Sequence, residues 1–94
     1  MITDDTTVTQ EKETVSTVLD DETMLMSVAS GKCHALDLIG SRIWEEIAKP
    51  LPVSELCDRL SREFDVERKQ CEHDVLVFLN ELAEDGLVKD VSQM

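Results

Sequence analysis

Residues 23–47 read TMLMSVASGKCHALDLIGSRIWEEI, and a change of period inside that stretch decides the fold. Two apolar runs around Ser30-Gly31 predict a β-hairpin with strands near 23–29 and 32–37. After Asp37 the period lengthens to about 3.6, since Leu38, Ile39, Ile43, Trp44 and Ile47 share one broad face. Asp37 is placed to cap the helix that carries them. A strand leading straight into a capped helix, with no intervening loop, fixes the chain as a mixed structure in which the sheet comes first.

Working outward, Thr14-Val15-Ser16-Thr17-Val18-Leu19 reads as a third strand, joined to the hairpin through the acidic turn at Asp20-Asp21. Residues 1–13 are polar apart from Ile2 and Val8 and read as a flexible or short edge-strand lead-in to a domain spanning 14–91. Downstream, Lys49-Pro50-Leu51-Pro52 ends the first helix, because proline lacks an amide hydrogen and disfavours helix in the residue before it. A second helix from about Val53 carries Val53, Leu56, Cys57, Leu60 and Phe64 at amphipathic spacing. A third, from about Glu67 to Asp85, carries Cys71, Val75, Phe78, Leu79 and Leu82, with Gly86 as its stop. Leu87, Val88 and Val91 can fold back as a tail on the core. The predicted fold is α+β and winged-helix-like, a three-stranded antiparallel sheet followed by three helices.

Composition then excludes several functions. The chain has 94 residues, 21 acidic against 9 basic, and a formal charge of −12. A chain this short is one domain burying roughly 60–70% of its unfolded surface, which leaves little room for a catalytic cavity. Nucleic acid is a poor partner for so negative a protein, and an aromatic content of 3% leaves little to stack on bases. The predicted third helix offers Arg68, Lys69, Gln70 and Asn80 to DNA, but Glu67, Glu72, Asp74, Glu81, Glu84 and Asp85 repel it. No run approaches the length of a membrane span and the N-terminus is acidic, so the expected location is cytoplasmic, with no membrane partner.

Enzyme chemistry finds little support. Cys33 and His34 are neighbours on a strand and point to opposite faces, so they cannot form a thiolate–imidazolium pair with each other. Cys33, Cys57 and Cys71 are odd in number and widely spaced, which reads as reduced apolar filling rather than a disulfide framework or a zinc knuckle. No glycine-rich phosphate loop or HExxH motif is present, and no cofactor or metal is expected. A binding module remains: an uncovered strand edge is a template for an extended peptide, with Met24-Leu25-Met26 and Leu76-Val77 as additional apolar surface.

Four stretches carry a family resemblance. Leu19-Asp20-Asp21-Glu22, Ser30-Gly31-Lys32, Leu36-Asp37-Leu38-Ile39-Gly40-Ser41-Arg42-Ile43-Trp44, and Phe78-Leu79-Asn80-Glu81-Leu82 through Gly86-Leu87-Val88 closely resemble PqqD-like proteins, the RiPP recognition elements, over about residues 15–90. Cys57 and Cys71 in their contexts, on a stand-alone chain, look most like the leader-binding protein of split lasso-peptide systems. The runners-up are the carrier for the pyrroloquinoline quinone precursor and, from topology, a winged-helix transcription regulator. Where many relatives have aromatic residues after the hairpin glycine, this chain has Cys33 and His34.

The resemblance implies a non-enzymatic protein that binds the leader segment of a ribosomally made precursor and delivers it to a separate leader peptidase, a transglutaminase-like cysteine protease, and to a cyclase. The leader would add as a strand along Lys32, Cys33, His34, Ala35 and Leu36, with a helix wall of Asp74, Val77, Asn80 and Glu81. Acidic residues on that wall favour a leader carrying Lys or Arg. Oligomeric state is left open, because a free strand edge can also pair with a second copy.

Overall fold

The computed structural model describes residues 1–20 and 22–92. Its elements in chain order are β1 (Thr7–Gln10), β2 (Thr14–Leu19), β3 (Glu22–Ser27), β4 (Cys33–Leu36), α1 (Leu38–Glu46), β5 (Leu51–Pro52), α2 (Val53–Phe64), α3 (Arg68–Glu84) and β6 (Val88–Asp90). The expected three-stranded antiparallel sheet is present, in the order β2-β3-β4, followed by the three helices. Its register pairs Met24 with Ala35, Leu25 with His34 and Met26 with Cys33. Because side chains alternate across a strand, Thr23, Leu25 and Ser27 are buried while Met24 and Met26 are exposed. The methionines therefore lie on the outer face of the sheet and do not line a groove beside α3. Of the turn between β2 and β3, Asp20 adopts a left-handed φ of 58° and Asp21 lies outside the described residues.

A second three-stranded sheet, β5-β1-β6, was not anticipated. The lead-in read as flexible or an edge strand supplies its middle strand, with Val8 fully buried between Leu51 on one side and Asp90 on the other. The physical reason lies in α1. A helix ends with carbonyls that lack intrahelical partners. Here Gln10 donates its backbone N–H to the Ile47 carbonyl at 3.1 Å, the Thr9 hydroxyl donates to the same oxygen at 2.9 Å, and Gln10 Nε2 donates to the Trp44 carbonyl at 2.7 Å. Helix α1 ends at Glu46, ahead of the prolines, and Leu51-Pro52 then pairs with β1, at a sheet edge where proline is tolerated.

Helix α1 begins as predicted, with Asp37 accepting from the Gly40 N–H at 2.8 Å. Its buried face is narrower than the sequence pattern, however. Ile43, Trp44 and Ile47 are buried, but Leu38 and Ile39 are largely exposed, because the first turn of α1 faces the core through Gly40 and Ser41. The core itself joins these residues to Val8, Leu25, Leu36, Leu56, Leu60, Val75, Leu79, Leu82 and Leu87. Cys57 and Cys71 are buried within it as filling; Cys33 instead is exposed on the outer face of β4.

Candidate functional site

Strand β4 pairs with β3 along one edge, and no described strand occupies its other edge. The burial pattern of β4 sends His34 and Leu36 inward and leaves Cys33 and Ala35 exposed, with Lys32 exposed just ahead of the strand. The hairpin is pinned to the C-terminal end of α3 by two contacts at one residue. The His34 imidazole Nε2 meets the Asp85 carboxylate, and the Ser30 hydroxyl donates to the Asp85 carbonyl at 3.0 Å. Gly86, at φ 77°, ends α3 there and sits 3.4 Å from the Ser27 hydroxyl by its would-be Cβ. Asp85 therefore positions β4 relative to α3, a role its sequence context did not reveal.

Where β4 runs into α1, an apolar pocket of about 290 Å³ opens between the start of α1 and the first half of α3. Ile39, Ile43, Phe64, Val66, Val75 and Phe78 line it, and Asp37, Gln70 and Asp74 contribute the polar atoms of its wall. Gly40 makes the pocket possible: a Cβ at that position would stand 3.3 Å from the Phe78 ring and 3.2 Å from Asp37 Oδ1. The pocket thus holds both phenylalanines of the chain. One signal in the sequence pointed here: Val66 sits in the turn between α2 and α3, where an apolar residue has no helical stripe to join.

The residues expected on the helix wall divide between two surfaces. Asp74 lines the apolar pocket. Val77, Asn80 and Glu81 border a shallow hollow shared with Met1, Ile2 and Thr3. Val77 and Glu81 are exposed there, but Asn80 is already engaged: its Oδ1 accepts from the Ile2 N–H at 2.9 Å, and its Nδ2 donates to the Ile2 and Leu76 carbonyls at 3.1 and 2.9 Å. Asn80 clamps the N-terminal segment onto α3.

Electrostatics and thiol chemistry narrow what this arrangement can do. Arg42, Arg59 and Arg68 are each ion-paired, to Glu46 at 2.8 Å, Glu46 at 2.6 Å and Asp58 at 2.8 Å respectively, so none stands free for a phosphate. The exposed length of α3 presents Asp74, Glu81 and Glu84. Burial pushes the Cys57 thiol up to about 12 and the Cys71 thiol upward as well, the reverse of what a nucleophile needs. His34 and His73 do not meet, since His34 is held by Asp85 and His73 is exposed on α3. Among the described residues, no group of His, Cys, Asp and Glu could hold a metal ion, and no helix is long and apolar enough to cross a membrane.

Known proteins share this architecture. No curated protein matches the chain. A solved structure, "TbiB1 in Complex with the TbiA(beta) Leader Peptide", superposes with a TM-score of 0.79 at 32% identity, covering 86% of this chain and 94% of that one. The family described as "Coenzyme PQQ synthesis protein D (PqqD)" matches residues 22–88, which runs from the first residue of β3 to the first residue of β6 and contains the free edge, the pocket and α3. The chain belongs to the PqqD family.

Proposed function

We propose that this protein captures the leader segment of a ribosomally made precursor peptide by strand addition to β4 and delivers it, without chemistry of its own, to a separate leader peptidase and a cyclase of a lasso-peptide pathway in the cytoplasm. The observation that carries the reading is the open β4 edge beside an apolar pocket, in a chain 32% identical to a protein solved in complex with a leader peptide.

A strand added along residues 32–36 gains main-chain hydrogen bonds that set its register, and alternate side chains supply selectivity. Leu36 and His34 face inward, so every second leader residue would turn the same way, toward α3. Antiparallel addition brings the leader in from the Leu36 end, where the pocket of Ile39, Phe64, Val66 and Phe78 accepts one apolar or aromatic side chain. Lys32, Cys33 and Ala35 meet the remaining side chains on the outer face. Asp74, Val77 and Glu81 form the helix wall, with Asn80 at its back holding Ile2. The cost of ordering a flexible ligand is partly offset by its backbone pairing, which suits an unfolded precursor.

Titration with the labelled leader of its cognate precursor peptide tests the reading. Saturable binding is expected, and its absence at ~50 µM overturns the proposal. The family match supplies a second candidate ligand, the precursor peptide of pyrroloquinoline quinone, and the same titration with that peptide separates the two.

A further inference from the structure

We propose that the outer edge of β2 is a second strand-pairing surface, independent of the leader groove, and that its occupant is an uncharged strand flanked by lysine or arginine on a partner protein. Strand β2 pairs only with β3, so its far edge is open among the described residues, and every residue from Val15 to Leu19 is exposed. Open edges are ordinarily blunted by charge, proline, a bulge or a covering segment. TVSTVL has no charge and no proline, and its six residues pair one to one with β3 without a bulge. In a chain that is 32% charged, the longest free edge carries no charge.

Apolar surface gathers around this edge. Val18 is 70% exposed, Leu19 59% and Val15 49%, and Val15 lies directly opposite exposed Met26 on the outer face. An extended β-branched edge beside an adaptable methionine row is what a docking strand needs: backbone partners on one side and side-chain contacts on the other.

Charge then decides the occupant. In the antiparallel register that pairs all six residues with a second copy, Thr14 faces Leu19, so Glu13 of each copy faces Asp20 of the other. Residues 1–31 hold seven carboxylates against Lys12 alone, and each copy carries −12 overall. Like charges at both ends of the ladder disfavour self-pairing, and the same carboxylates attract a strand whose flanks are cationic.

The test uses the full chain and a synthetic strand of three Thr-Val repeats with two lysines at each end. One control carries glutamates in place of the lysines; another keeps the lysines but replaces the valines with proline, so that it has the charge without the strand. Saturable binding of the first peptide is expected, at least about tenfold tighter than either control, with new hydrogen-exchange protection at residues 14–19. Val18→Lys, at an exposed position, is expected to weaken it about tenfold with an unchanged melting temperature. Equal binding of the proline control, protection confined to residues 33–36, or a wild-type dimer that Val18→Lys dissociates overturns the proposal. The last result would assign the edge to a second copy.

Discussion

At the residue scale, exposure separates the side chains that hold the fold from those free to meet a ligand. Trp44 is 6% exposed and closes the core beneath α1; its replacement by alanine is expected to cost about 3–5 kcal/mol in chemical denaturation and to say nothing about binding. Ile39, by contrast, lines the apolar pocket between α1 and α3 from the solvent side, at 45% exposed. Ile39→Asp therefore should weaken leader binding by at least about tenfold while leaving the urea midpoint in place. A coincident loss of stability would show that Ile39 belongs to the core after all. Cys57 gives a pH dependence with a definite sign. Its thiol is held near 12 against an ordinary 9.0, so below pH 9.0 it is protonated folded or unfolded and contributes no slope. As pH rises above that, the unfolded chain releases the proton first, and stability falls. Denaturation at about pH 8 and about pH 10 should show this decline, and Cys57→Ala should flatten it.

At the scale of elements, the periodicity of the sequence located β2, β3, β4 and the three helices but missed the sheet made by β1, β5 and β6. Val8 and Leu51 are each the one buried apolar residue of their strand, in short polar or proline-rich segments, and a two- to four-residue strand has too few positions to show a period. The site was legible in the same uneven way. The free edge of β4 followed from strand order, whereas Asp85 and Phe78 reach their roles only through α3 packing against the hairpin and α1. Asn80 is the residue whose reading the elements change most. Asn80→Ala removes both bonds to Ile2 and should cost about 1–2 kcal/mol of stability, with leader affinity nearly unchanged. Affinity that drops while stability holds would return Asn80 to the peptide wall.

Across the whole molecule, charge acts on encounter more than on architecture. A body carrying −12, with Asp74, Glu81 and Glu84 exposed along α3, accelerates the approach of a cationic peptide. Stopped-flow association with a lysine-bearing leader should slow as salt rises from ~0.05 to ~0.5 M, while dissociation changes little. An association rate indifferent to salt would show that the acidic surface does not recruit the leader.

Local patterns in the sequence were enough to set the order of β2, β3, β4 and the three helices, the Asp37 cap and the hairpin turn at Gly31, because each depends on backbone preference within a short segment. Tertiary structure decided which side of each element matters. It set Met24 and Met26 outward, turned Asn80 onto Ile2, drew the lead-in to the middle of a sheet and built an aromatic pocket from two residues 14 positions apart, Phe64 and Phe78. These outcomes depend on contacts between segments distant in sequence, where close packing selects one arrangement from many that the local patterns allow.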